Sequence, residues 1–250
     1  MSSMTLTSSS RPAPARLVLD VNQVDVWRAA LELGPPELYR LQKTLSPDEL
    51  DRAARFYFPK DQQRFIAARG VLRDTLARYL GRPPAELHFS YASFGKPSLA
   101  SDCAADSLRF NLSHSGGIAL YAVARQREVG IDLERIEPKF AGDGIAERFF
   151  SRNEVAKLRS LPASGRLHAF FNCWTRKEAY VKARGAGLQI PLESFDVSLA
   201  PDEQAAFLSE GEFGWSLRAL LLDPDYAAAI AVEGKDWQLR LWQWQIPRVG

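Results

Sequence analysis

Apolar and polar positions alternate along 129–134, where the order Val-Gly-Ile-Asp-Leu-Glu predicts an extended strand with Ile131 and Leu133 on one face and Asp132 and Glu134 on the other. Along 170–182 the pattern changes to helical spacing: Phe170, Phe171, Trp174 and Val181 seat one face in a core, while Glu178 and Lys182 stand one turn apart. A second helix is expected over 61–80, with Phe65, Ala68, Leu72, Leu76 and Tyr79 near one face. Arg64, Arg69 and Arg73 are spread around the rest, mostly on a solvated side, and Gly81-Arg82-Pro83-Pro84 ends the helix. Ser46-Pro47-Asp48-Glu49 reads as a helix start, and the helix it opens carries Arg52 and Arg55. Shorter helices are expected at 145–150 and 152–160, with a glycine-containing loop at 138–144 and a linker at 162–165 before the long helix.

Strand character appears at 17–21, 87–91, 108–112, 118–124, 195–199, 215–222, 227–233 and 238–245, and 24–31 reads as a strand or short helix. Helix followed by three strands thus occurs twice, with strand starts pairing as 87 with 195, 108 with 215 and 118 with 227. Pattern alone leaves duplication and coincidence both open.

With 250 residues, 46% hydrophobic and 25% charged, the chain can build one large domain or two small ones. A net charge of +2, without a block of Lys and Arg interleaved with aromatics, argues against nucleic-acid binding. Cys103 and Cys173 lie in unlike contexts and are expected as free thiols. Residues 1–16 are rich in Ser, Thr, Pro and Ala with no apolar segment, and no run approaches the roughly 18 residues of a membrane span. A disordered tail on a cytoplasmic protein is expected.

Glu178 and Lys182 alone could be a surface ion pair of a few tenths of a kcal/mol. The second acidic element changes this, because Asp132, Glu134 and Glu178 with Lys182 suit a hard cation beside phosphate. The turn Ser113-His114-Ser115-Gly116-Gly117 can bring amides and hydroxyls close to an anion. It lacks an orienting acid and a G-x-S-x-G elbow, so nucleophilic catalysis by Ser113 or Ser115 is not expected. Lys96 is displayed on the Phe94-Gly95-Lys96-Pro97 turn.

Two blocks, Gly130-Ile131-Asp132-Leu133-Glu134 and Trp174-Thr175-Arg176-Lys177-Glu178-Ala179-Tyr180-Val181-Lys182, match G-[IV]-D-x-E and W-x-x-K-E-[AS]-x-x-K. In them, and in further matches from about 46 to 199, the chain resembles the Sfp type of 4′-phosphopantetheinyl transferases. The resemblance implies an α+β fold of two similar halves related by a pseudo-twofold, each a small antiparallel sheet packed with helices, with the active site between them. The halves would be 17–127 and 128–250. It implies transfer of the 4′-phosphopantetheine arm of coenzyme A to a serine of an apo acyl or peptidyl carrier protein, with release of adenosine 3′,5′-bisphosphate. Asp132, Glu134 and Glu178 are then the expected Mg²⁺ ligands. Asp132, Glu178 and Lys182 are the expected catalytic residues, Glu178 also accepting the serine proton. Arg52, Arg55, Arg64, Lys96, Ser113, His114 and Lys177 are the expected coenzyme contacts. Glu49 stands where the type member is basic and Phe65 where it has threonine. A monomer is expected, docking its carrier at 138–144, where Phe140 and Lys139 offer an apolar and a basic side chain. Two other classes stay open: another Mg²⁺-dependent nucleotidyl or phosphoryl transferase, and a non-catalytic module that binds coenzyme A or carriers.

Overall fold

A computed structural model describes residues 14–91, 95–101, 107–141, 143–185, 187–209 and 214–245. Residues 1–13 of the expected tail, Phe94, Cys103 and Gly142 lie outside them. In chain order the main elements are β1 (Gln23–Ala30), α1 (Pro35–Gln42), α2 (Pro47–Ala54), α3 (Pro59–Leu80), β2 (Phe89–Tyr91), β3 (Pro97–Leu99), β4 (Leu108–Ser115), β5 (Ile118–Arg125) and β6 (Val129–Arg135). Then follow α4 (Asp143–Phe149), α5 (Arg152–Ser160), α6 (Ala163–Arg184), β7 (Trp215–Ala219), β8 (Tyr226–Glu233) and β9 (Gln238–Gln243).

The period of two in the strands builds the layers. In β1, Val24 and Val26 face one core and Trp27 and Ala29 another; in β5, Leu120, Ala122 and Ala124 join the first core and Ala119, Tyr121 and Val123 the second. Both faces are buried, which is why 118–124 carries no charged residue. One sheet, in the order β4-β5-β1-β9, is covered on its outer side by α3 through Ala68, Leu72, Leu76 and Tyr79. The other, in the order β6-β8-β7, is covered by α6 through Phe170, Ala179 and Ala183. Between the sheets Val24, Val26, Leu120 and Ala122 pack with Ile131, Leu133, Ile230 and Val232. The result is four layers: helix, sheet, sheet, helix.

The sheet order β4-β5-β1 is matched by β7-β8-β6, and β6, α6, β7 and β8 start 104 to 108 residues after β1, α3, β4 and β5 (129 against 23, 163 against 59, 215 against 108, 226 against 118). This is the expected α+β architecture of two similar halves. The division at 127/128 is not clean, however, because β9 from the second stretch adds to the first sheet, parallel to β1. That pairing explains another difference. Residues 17–21 form no strand, since both edges of β1 are already taken by β5 and β9. They are held instead by the Leu17 amide donating to the Arg78 carbonyl and by Arg125 donating to the Leu19 carbonyl.

Residues 195–199 contribute only an isolated bridge between Val197 and Phe207. The expected linker at 162–165 is the first turn of α6, for which Pro162 is the N-cap. Helix α1 is additional to the expected elements; its local signal is prolines at its first two positions with Glu37 behind them. Gly130 sets the depth of the second half: a Cβ there would stand 2.1 Å from the Ala179 carbonyl oxygen and 2.2 Å from the Ala183 amide, so only glycine lets β6 run directly beneath α6. Among the described residues no helix is long and apolar enough to cross a membrane.

Candidate active site

Strands β4 and β6 are the outer strands of their sheets and run side by side without sharing a backbone ladder. Alternate side chains of β4 join them. The Ile131 amide donates to Asn111 Oδ1 at 2.9 Å, Ser113 Oγ donates to Asp132 Oδ1 at 3.0 Å, and Ser115 Oγ donates to Glu134 Oε2 at 3.2 Å while accepting from the Arg135 amide at 3.0 Å. The site lies on this seam between the halves.

Lys182 reaches down from α6 to place Nζ 2.6 Å from Asp132 Oδ1, and it donates to Ser113 Oγ at 3.2 Å, closing a triangle. Among the described residues Glu178 and Lys182 form no ion pair with each other despite their spacing; the lysine is turned to β6. Asp132 is 1% exposed, and its second oxygen, Oδ2, is buried without a hydrogen-bond partner. Burial and the neighbouring Asp132 charge push the Glu134 carboxyl up to about 7 and raise Glu178 above the ordinary carboxylate value.

Three oxygen acids sharing one field, one with an orphaned buried oxygen, are suitable donors for a hard divalent cation. As placed, no group of three His, Cys, Asp or Glu among the described residues is close enough to hold a metal. Convergence requires the half-buried Glu134 and Glu178 to rotate toward Asp132.

His114 follows Ser113 on β4, its ring open to solvent but crowded by protein. That crowding, with the charges of Lys182 and Arg64, holds its imidazole below the usual value and so neutral near pH 7. Arg64 itself is paired with Glu32 at 2.8 Å.

Lys177 is a correction. It is fully buried on the opposite side of α6, paired with Glu154 at 2.8 Å and donating to the carbonyls of Leu192 and Phe195. No donor remains for a coenzyme phosphate. Lys96 sits at the C-terminal end of α6, donating to the Ala183 carbonyl at 2.8 Å and to Glu128 at 3.0 Å, apart from the triangle. Arg52 and Arg55 line an open pocket of about 500 Å³ with Asp48 and Phe56, and among the described residues no hydrogen bond or ion pair joins them to the seam.

The two departures from the family pattern find structural work. Glu49 closes the capping box of α2 and is buried against Arg69 at 3.1 Å and Arg73 at 2.7 Å, so that these two arginines are buried, against the expectation of a mostly solvated side. Phe65 packs in a small core with Leu45 and Ile66, and Arg52 lies over its ring. Asn111 and Ser115 were missed as site residues; their signal is the polar period of two through Asn111, Ser113 and Ser115, alternating with the apolar Phe110 and Leu112.

The raised Glu134 value predicts how the metal-free protein responds to pH. Unfolded, Glu134 loses its proton near 4.5; folded, it keeps it to about 7, so its contribution falls as pH rises across that window and stays low above it. The lowered His114 value acts oppositely near 6.5. Melting curves of the wild type and Glu134→Gln from pH 5 to 8 separate the two: the variant should gain on the wild type as pH rises, and parallel profiles would contradict the assignment.

Comparison with known proteins comes down on both halves. A family model described as the 4′-phosphopantetheinyl transferase superfamily matches residues 128–231, and one described as 4′-phosphopantetheinyl transferase, N-terminal, matches 34–126. The chain is 44% identical over 233 residues to 4′-phosphopantetheinyl transferase HetI of a Nostoc species, covering 93% of this chain and 97% of that one. It is 30% identical over 188 residues to 4′-phosphopantetheinyl transferase Sfp of Bacillus subtilis, covering 75% and 81%. Among solved structures, a holo-(acyl-carrier-protein) synthase from Bacillus anthracis in complex with CoA (3′,5′-ADP) aligns with a TM-score of 0.37 at 24% identity, covering 43% of this chain and 96% of that one.

Proposed function

Because the chain belongs to the Sfp type of 4′-phosphopantetheinyl transferases, we propose that it moves the 4′-phosphopantetheine arm of coenzyme A onto a serine of an apo acyl or peptidyl carrier protein and releases adenosine 3′,5′-bisphosphate. The observation that carries this reading is the Asp132, Lys182 and Ser113 triangle, flanked by half-buried Glu134 and Glu178 on the seam between the halves. Ser113 Oγ is engaged by both Asp132 and Lys182, which suits a reaction whose attacking hydroxyl arrives with the partner.

The carrier serine Oγ attacks the phosphorus that bears the pantetheine. The bond from that phosphorus to the bridging oxygen breaks, and the oxygen leaves on the adenosine bisphosphate. Glu178, with its raised affinity for a proton, accepts the one lost by serine. Lys182 faces the charge that gathers on the departing phosphate. Asp132, Glu134 and Glu178 would hold Mg²⁺, which neutralises the pyrophosphate and polarises its oxygens. Arg64, Ser113 and His114 receive the coenzyme's phosphates, and Arg52 and Arg55 offer their open pocket to its nucleotide end. Lys96 would reach a phosphate only by exchanging Glu128 for it.

Incubation with coenzyme A, Mg²⁺ and apo carriers, followed by intact mass measurement of the carriers, tests the reading; carriers left unmodified across acyl and peptidyl types would reject it. The same assay addresses docking. Phe140 is 54% exposed with Lys139 over its ring, so Phe140→Ala should raise the carrier KM a few-fold and leave the coenzyme A KM unchanged.

A further inference from the structure

Glu32 lies two residues beyond β1 with its side chain 62% exposed, and its Oε1 stands 2.8 Å from Nη2 of Arg64 and 3.2 Å from Nζ of Lys60. The two cations are one turn apart on α3 and line, with Glu32 and Gln63, an open pocket of about 350 Å³. The pocket abuts the turn between β4 and β5. A Cβ built on Gly117 would be 3.3 Å from Arg64 Nη2 and 3.4 Å from Glu32 Oε1, and the Arg64 charge is felt at His114.

The carboxylate therefore sits on two cations at the edge of the site that receives phosphate. An exposed ion pair contributes little to stability, so the fold gives scant reason for an acid at this place. Its effect on an incoming anion is direct: a phosphate must displace the carboxylate or share the cations with it. Exposure makes displacement cheap in reorganisation, because the freed carboxylate is hydrated where it already stands.

We propose that Glu32 sets the affinity of the transfer site for its anionic substrate, as a built-in competitor that occupies Arg64 and Lys60 in the absence of substrate and yields them to a phosphate of coenzyme A. The inference rests on the proposed transfer function. It keeps the affinity for the anionic substrate, and for the adenosine bisphosphate left after transfer, below what the two cations alone would give, and so favours release of the product.

Calorimetry with coenzyme A, dephospho-coenzyme A and adenosine 3′,5′-bisphosphate, on the wild type, Glu32→Gln, Glu32→Ala and Glu32→Gln with Arg64→Gln, tests it. Both single variants should melt close to the wild type and bind coenzyme A and the bisphosphate about three- to tenfold more tightly. The gain should vanish in the double variant. A gain that persists with dephospho-coenzyme A assigns the cations to the pyrophosphate, and one confined to coenzyme A assigns them to the 3′-phosphate. Unchanged or weaker binding in the single variants, beside normal wild-type binding, overturns the competitor role and leaves Glu32 as a brace for Arg64. A wild type that binds none of the three overturns the transfer reading, and this inference with it.

Discussion

In Asp132→Asn, single-turnover transfer to a carrier should fall at least about a hundredfold with little loss of stability. The substitution keeps shape but removes the charge on which three things depend. Lys182 is positioned by Oδ1, the expected cation has its buried donor in Oδ2, and the Asp132 charge adds to the burial that raises Glu134 and Glu178. Stability changes little because opposing effects are lost together: the pair with Lys182, whose part-exposed ammonium is not stranded, and the repulsion that the Asp132 charge exerts on Glu134 and Glu178. Calorimetric titration with Mg²⁺ and coenzyme A should show weakened metal-dependent binding, and the Glu134 carboxyl should titrate lower. A variant with normal turnover and unaltered Mg²⁺ dependence would remove Asp132 from the chemistry.

Lys177→Met should do the reverse, destabilising the fold by about 3–5 kcal/mol while leaving the coenzyme A KM of the folded fraction near normal. Lys177 is 0% exposed and Glu154 2%, and Glu154 is fixed from its other side by the amides of Ser151 and Val197 at 2.9 and 2.8 Å. Removing the ammonium strands a buried carboxylate and frees two carbonyls. Glu154→Gln added to Lys177→Met should restore part of the loss, since the stranded charge is its largest component. Denaturant melts and a coenzyme A titration distinguish the roles: a stable Lys177→Met with a strongly raised coenzyme A KM would return the residue to the binding site.

The contrast between Lys177 and its neighbour Glu178 shows what the sequence made legible. Both lie in one motif and resemblance weights them alike, but helical phase sets Lys177 in line with Phe170, Cys173 and Val181 on the buried face. That signal was available and was overridden by the motif. The strand carrying Asp132 and Glu134 was readable because alternation with Ile131 and Leu133 leaves no other placement of the acids. Local pattern names no partner across the chain, so the bond from Lys182 to Asp132 rather than Glu178, the Arg69 and Arg73 contacts to Glu49, and the pairing of β1 with β9 all required the folded molecule. Two of these turn on buried charge, where a residue's type suggests a surface and its partner decides otherwise.

The return of β9 to β1 also sets a timetable for the nascent chain on the ribosome. β1 is synthesised about 200 residues before the strand that fills its second edge, roughly 10–40 s at ordinary elongation rates. Throughout that interval the first sheet can assemble on β5 and bury α3, yet one side of Gln23–Ala30, five of whose eight residues are Val, Trp or Ala, offers bare amides and carbonyls to any strand it meets. The Asp25 carboxylate, buried and held by Arg240 of β9 at 2.6 Å, has until then, among the described residues, the Tyr79 hydroxyl as its side-chain donor. The arrival of β9 thus closes the first half of the protein, and a chain stopped before it is a template for aggregation.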